Sequence, residues 1–416
     1  MRRTLGFICF ILLTVPALGQ NRIHVDYDKY FTPYRMRLDL VFAGDAAKQE
    51  VFLGNISKEV EWSGSKTVLA DPFEYGEYFL EVIAKNNVVI FSKGFNTLFQ
   101  EWRTTAEAKE IRKAFNSSYV IPYPQDPVTI RISERRKDTG EFEEFASFKV
   151  DPNDKLICTK PDNHFKIDTL LYNGECSKKV DLLFVAEGYT KEEMTKFRKD
   201  AAKFMGYLFE MEPYKSRKND FNIWAVESES EDSGTDFPHL DIWKNTAANS
   251  NFYTFRTDRY LTAPNQTDVC KLASNAPYDA IYVIVNTDTY GGGGIYNFYG
   301  LSMSDHKYEA EVFVHEFGHS FAGLGDEYYD SETSYEDFYN IKIEPWEPNI
   351  TTKVNFAEKW EDMVGTNGVG LFEGGGYMAK GIFRPREDCR MKTNTAKDFC
   401  PVCQRAINRM IDIYTK

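Results

Sequence analysis

Residues Glu311 to Tyr328 read EVFVHEFGHSFAGLGDEY. His315 and His319 stand four residues apart, so on a helix both imidazoles leave the same face, about one turn apart, and can share one small cation. Neutral imidazole is a good Zn²⁺ ligand, and Glu316 falls where a general base would meet a water at the ion. Two of the chain's six histidines lie in this window. The residues leading into it, Val312, Phe313 and Val314, are apolar, so the helix enters from a buried side. Two histidines on an ordinary amphipathic helix would not call for the small residues, two glycines and acidic pair that follow. The pattern points to a zinc-dependent peptidase site.

A catalytic zinc takes three protein ligands and leaves a fourth position open. In metzincins the third ligand follows a glycine that ends the helix and turns the chain back. Gly323 or Gly325 suits that turn, because a left-handed residue past a helix end favours glycine. The metzincin spacing lands on Gly325, which has no side chain. With one extra residue the pattern reads HExxHxxxGxxD and the third ligand becomes Asp326. Glu327 competes with it, and a carboxylate from a remote helix is the other alternative. Further along, CRMKT places Met391 where a metzincin carries a methionine as a soft apolar floor beneath the metal.

HEFGHSFAGLGDEYY (His315 to Tyr329), FRPREDCRM (Phe383 to Met391) and FCPVC (Phe399 to Cys403) together resemble the bacterial IgA peptidase-like family of secreted zinc metallopeptidases. The segment before about Lys166 looks like the β-rich N-terminal domain of its gut bacterial members. The resemblance implies an α+β chain, with a zincin/metzincin-like catalytic domain after an N-terminal β-sandwich. It implies His315, His319 and Asp326 as zinc ligands and Glu316 as the catalytic base. A protein or peptide substrate is expected, a host glycoprotein among the candidates. The family name does not make this chain an immunoglobulin-cleaving enzyme. A zincin that binds protein or glycan without turnover is the rival reading, and the intact Glu316 argues against it. Tyr377 and Arg384 are candidates to steady a developing oxyanion.

The N-terminus, MRRTLGFICFILLTVPALGQ, has two arginines, an apolar run and the small residues Ala17 and Gly19. It reads as a secretory signal peptide cleaved after Gly19, and Cys9 lacks a lipoprotein-type context. The chain is therefore expected to be exported, as a periplasmic or secreted bacterial protein without stable membrane insertion. Six cysteines follow the leader: Cys158, Cys176, Cys270, Cys389, Cys400 and Cys403. An even count in an exported chain favours disulfides, and Cys389 with Cys400 or Cys403 is the expected pair. A second metal site on these three cysteines lacks a visible fourth ligand. The net charge of −13 argues against nucleic acid and anionic membranes as partners.

The 416 residues divide into the leader (1–19), an N-terminal β-sandwich domain (20–165) and a catalytic domain (166–416). In the first domain, Arg37 to Phe42 alternates as a strand. Tyr78 to Ala84 with Val88 to Phe91, and Val128 to Ser133 with Phe142 to Val150, read as hairpins. A helical patch is expected over Thr105 to Phe115. In the second, Val180 to Ala186, Phe221 to Val226 and Ala280 to Val285 are buried strands. Thr190 to Glu193 forms a capping box opening a helix to about Phe209. Gly291 to Gly294 is no phosphate loop, having no lysine or Ser/Thr after it. Ile295 to Tyr299 is a candidate edge strand on which a peptide could add. Tyr328 to Asn355 reads as a long loop and Val402 to Tyr414 as a closing helix.

Overall fold

The computed structural model describes residues 25–329 and 338–416. The expected leader with Cys9, and part of the expected long loop, fall outside them. After a one-turn helix α1 (Tyr27–Tyr30), strand β1 (Phe31–Gly44) pairs antiparallel with β2 (Gln49–Glu61). Strands β3 (Tyr78–Ile83) and β4 (Val89–Phe95) form the first expected hairpin, with left-handed Asn87 in its turn. Helix α2 (Leu98–Trp102) precedes β5 (Lys113–Pro124), which returns to pair with β1. The second expected hairpin is β6 (Val128–Arg135) with β7 (Phe142–Val150), docked on β3. The sheets are thus β2-β1-β5 and β4-β3-β6-β7, and Phe42, Tyr78, Phe95 and Tyr119 pack between them.

Two local expectations change. The helix in this region is α2, upstream of the Thr105 to Phe115 patch, which holds only a 3-10 turn at Glu107–Lys109 before β5 begins. Thr97 caps α2 by accepting the Gln100 N–H at 2.9 Å, a local device that outweighs the patch's periodicity. The polar half of the β1 alternation does not face water. Arg35 and Arg37 are 0% and 1% exposed. Arg35 donates to the carbonyls of Ala276 and Ser274, while Arg37 pairs with Asp39, Glu59 and Asp162. The N-terminal unit is therefore fastened to the rest of the chain through a buried charged face.

The second unit is built on a six-stranded sheet. Its strands are β8 (Ile167–Leu171), β9 (Val180–Glu187), β10 (Phe221–Val226), β11 (Ala280–Val285), β12 (Gly292–Ile295) and β13 (Tyr299–Met303), in the order β12-β13-β11-β9-β10-β8. The four central strands are parallel and the two edges antiparallel. Every residue of β9 is buried, as a strand covered on both faces requires. Leu182 and Phe184 face helices α3 (Met194–Glu210) and α5 (Glu309–Ala322), whereas Leu183 and Val185 join a core shared with the N-terminal sheets. Helix α4 (Gln266–Ala273) lies on that second side, where Gln266 donates to Ser118 O of β5. The capping box forms as expected, Thr190 and Glu193 satisfying each other's backbone at the entry to α3. The hairpin β14 (Phe372–Gly375) with β15 (Met378–Arg384), and helix α6 (Pro401–Thr415), complete the chain. No helix among the described residues is long and apolar enough to cross a membrane.

The glycine run is the sharpest departure in this unit. The edge strand is β12, made of the glycines, and Ile295 to Tyr299 mostly turns into buried β13. The outer side of Gly292 bridges Tyr260, so this edge is already partly covered. Gly294 lies against helix α5: a Cβ there would sit 2.3 Å from the Glu316 carbonyl oxygen and 2.9 Å from His319 Cβ. Gly294→Ala is expected to cost about 1–3 kcal/mol through overpacking and to lower kcat/KM on the order of tenfold or more by displacing the helix. Unchanged melting and kinetics would mean the strand yields freely.

Candidate metal centre and active site

Helix α5 carries EAEVFVHEFGHSFA and ends at Gly323, left-handed at φ 63°. Gly323 N–H returns to His319 O at 3.0 Å and Leu324 N–H to Gly318 O at 3.2 Å, satisfying the last carbonyls of the helix. The reversal brings Asp326 back over the two histidines. Asp326 Oδ1 lies 3.1 Å from His315 Nε2 and 3.2 Å from His319 Nε2, and the two Nε2 atoms are 3.0 Å apart. Ligand atoms about 2.0 Å from a tetrahedral ion would be spaced about 3.3 Å apart.

The hydrogen bonds behind the triangle fix its chemistry. His315 Nδ1 faces Arg390 O at 3.0 Å, and His319 Nδ1 faces Leu324 O at 2.5 Å. A carbonyl can only accept, so each Nδ1 carries the hydrogen and each neutral ring turns a lone pair inward. Asp326 Oδ1 is buried and has no hydrogen-bond partner. Three acceptors thus converge on one point, an arrangement that a cation fits and that is repulsive without one. A proton can serve in its place: burial disfavours charge on His319, but Asp326 outweighs it and raises the imidazole to about 9. Burial would lift Asp326 as well, yet the histidines hold its carboxyl well below the usual range.

Glu316 flanks this triangle, partly exposed to a cleft of about 400 Å³. Withdrawal from bulk water raises its carboxyl above the ordinary range, opposed by the two histidines. Met391 is fully buried, and its sulfur reaches to within 2.9 Å of where a Cβ on Gly318 would stand. It packs against the histidine helix at Gly318.

Other expected residues land differently. The Tyr377 hydroxyl donates to Asp326 Oδ2 at 2.5 Å, so it orients a candidate ligand. Arg384 is buried and donates to the carbonyls of Glu373 and Gly374, holding the hairpin instead of facing the cleft. Glu327 points away from the histidines. Its Oε1 accepts from Asn349 Nδ2 at 3.0 Å and from Cys403 Sγ at 3.2 Å. None of the six described cysteines forms a disulfide, which corrects the expected pairing of Cys389; its sulfur stands 3.8 Å from that of Cys403.

Several cleft residues had no signal in the sequence. Arg259 and Tyr328 line it, the guanidinium 5.8 Å from the ring centre. Asn96 and Glu101 reach it from the N-terminal unit. Asn349 clamps the ligand loop by bonding both the N–H and the carbonyl of Gly325. Glu347, also on the cleft wall, is fully withdrawn from water and its carboxyl is pushed up to about 7. The folded chain therefore binds an extra proton between the unfolded pKa of about 4.3 and 7, so stability falls as pH rises through that window. Glu347→Gln should raise Tm at pH 8 and leave it nearly unchanged at pH 5, the difference being at most about 3 kcal/mol. Equal shifts at both pH values would contradict this.

Two imidazoles and a carboxylate around one point, with a second carboxylate beside them, define a candidate metal-dependent hydrolase site. A family model described as IgA Peptidase M64 matches residues 169–368 and 365–411, and one described as Peptidase M64 N-terminus matches 26–146. The chain belongs to the IgA peptidase M64 family, and this makes it a peptidase-family protein with proteins or peptides as the substrate class. No curated protein matches the chain.

Proposed function

We propose that this chain is an exported zinc-dependent endopeptidase, with His315, His319 and Asp326 as ligands and Glu316 as general base. The observation that carries the reading is the convergence of three inward acceptor atoms, 3.0 to 3.2 Å apart, beside a free-standing carboxylate on the same helix. The donor set of two imidazoles and one carboxylate is one that zinc accepts in catalytic sites. Zinc held there supplies a coordinated water with pKa lowered to about 7 and polarises a carbonyl.

The protein's own groups do the rest. The backbone carbonyls of Arg390 and Leu324 fix the histidine tautomers, and Tyr377 fixes the rotamer of Asp326. Glu316 takes the proton of the attacking water and passes it to the leaving amine nitrogen. Burial raises its pKa, which strengthens it as a proton acceptor.

We assign the catalytic unit, residues 166–416, to the metzincin type of zincin fold and the preceding unit, 20–165, to a β-sandwich. The helix-ending Gly323, the following acidic ligand and the buried Met391 support the first assignment. The two facing sheets support the second. The charged and apolar leader supports export, with Gly19 as the last residue removed.

Incubation with a mixed peptide library tests the function. Internal cleavage is expected, abolished by a chelator and restored by added zinc. A fully zinc-loaded protein that cleaves no peptide would overturn the enzyme and leave an idle, binding zincin.

A further inference from the structure

Beneath the histidine site lies a second cluster that the peptidase mechanism does not use. Cys389, Cys400, Cys403 and Glu327 are all buried, and one ligand atom from each falls within 4.8 Å of the others. Two thiolates bound at 2.3 Å to a tetrahedral zinc stand about 3.8 Å apart, whereas a disulfide would bring them to about 2.05 Å. The Cys389 and Cys403 sulfurs are 3.8 Å apart. A thiolate and a carboxylate oxygen on the same ion would be separated by about 3.5 Å. Cys403 Sγ and Glu327 Oε1 are 3.2 Å apart.

Backbone N–H groups reach two of the three sulfurs. Cys400 caps α6 and Cys403 lies in its first turn, where backbone N–H groups point outward. Cys400 N–H donates to Cys389 Sγ at 3.2 Å, and Cys403 N–H to Cys400 Sγ at 3.5 Å. Glu327 is 0% exposed, and its Oε2 is buried with no hydrogen-bond partner. Asn349 and the Cys403 thiol answer only its Oε1, which leaves a buried oxygen for a cation.

We propose that Glu327, Cys389, Cys400 and Cys403 hold a second zinc ion, a closed structural site that locks the catalytic ligands in place. The connections explain the purpose. Glu327 follows Asp326 directly, and its N–H donates to Met391 O at 2.9 Å. Cys389 opens the turn whose next residue, Arg390, accepts from His315 Nδ1 at 3.0 Å. One ion would therefore pin the Asp326 loop, the Met391 turn and the start of α6 together. Capping by metal also accounts for three neighbouring thiols staying unjoined in a chain read as exported. The site does not depend on the peptidase reading, since these four groups can bind metal whether or not the chain turns over substrate.

Elemental analysis of the full wild-type chain, purified without chelator, is expected to give two zinc ions per molecule. Cobalt loaded in place of zinc should show intense sulfur-to-metal charge-transfer absorption, which imidazole and carboxylate ligands alone do not give. That band should survive in the His315→Ala/His319→Ala variant, which should retain one ion, and vanish in Cys389→Ser. In the unvaried chain, denatured without reductant, chelator should make the three cluster thiols titratable along with Cys158, Cys176 and Cys270. A wild-type cobalt spectrum without the band, whatever the zinc count, or thiols released only by reductant would each overturn the second site, even if Cys389→Ser fails to fold. Loss of the histidine-site ion alone would count against the peptidase reading and leave this one standing.

Discussion

Glu316→Gln should lower kcat by a factor on the order of 10² to 10⁴, with metal content and Tm nearly unchanged. Glutamine keeps the size and hydrogen-bonding outline of the side chain and removes its capacity to accept a proton. The position makes the two effects separable. Glu316 is rotated about 100° around the helix from His315, and its carboxylate lies within 4.8 Å of both histidines, beside the triangle that Asp326 completes. Its backbone is a different matter, because the Glu316 carbonyl meets Gly294 of β12 at close range, and the substitution leaves that contact intact. The measurement pairs steady-state cleavage of a peptide found in the library screen with elemental analysis and thermal melts. A Glu316→Gln protein of near-wild-type kcat would rule out the proposed base. A protein that loses its metal would show the carboxylate acting as a ligand.

The histidine helix was legible because its signals are local: HExxH spacing, an apolar entry and a glycine stop all act within one helix. The same holds for the hairpins around Lys85 to Asn87 and Lys137 to Gly140, and for the Thr190 capping box. What the sequence hid depends on distant packing. Four glycines in a row have no hydrophobic period, so nothing local marks β12 as a strand pressed on helix α5. Arg35, Arg37 and Asp39 look like the wet side of an alternating strand, and only the docking of Ala273 to Ala276 turns that side into an interface. Glu327 was weighed against Asp326 for one role. The possibility that neighbouring carboxylates point into different clusters cannot be read from spacing, because it depends on where α6 returns Cys400 and Cys403. The absent disulfide has the same origin: cysteine count suggested pairing, and the fold gathered a carboxylate with three thiols instead.

Asp326→Ala should weaken binding at the histidine site by at least about a hundredfold and bring peptidase activity to background, while Glu327→Ala should leave the histidine-site ion in place. The expected size follows from what each side chain touches. Asp326 Oδ1 is within 3.2 Å of both Nε2 atoms, and its Oδ2 accepts from Tyr377. Its removal leaves two imidazoles, too few for a catalytic zinc site, and strands a tyrosine hydroxyl in the cleft wall. Tyr377→Phe is the milder companion: it keeps the ligand and removes the group that orients it, a change that typically costs 10- to 100-fold in metal affinity or activity. Glu327 bonds to Asn349 and Cys403 and touches neither histidine, so its loss reaches the site only through the shared loop. Zinc competition against a chelator, read separately for each variant, ranks the three. The order Asp326→Ala weakest, Tyr377→Phe intermediate and Glu327→Ala nearest wild type at the histidine site is required. If Asp326→Ala retained stoichiometric zinc there after dialysis against chelator, the third ligand would have to come from another segment, and the turn at Gly323 would need a different explanation.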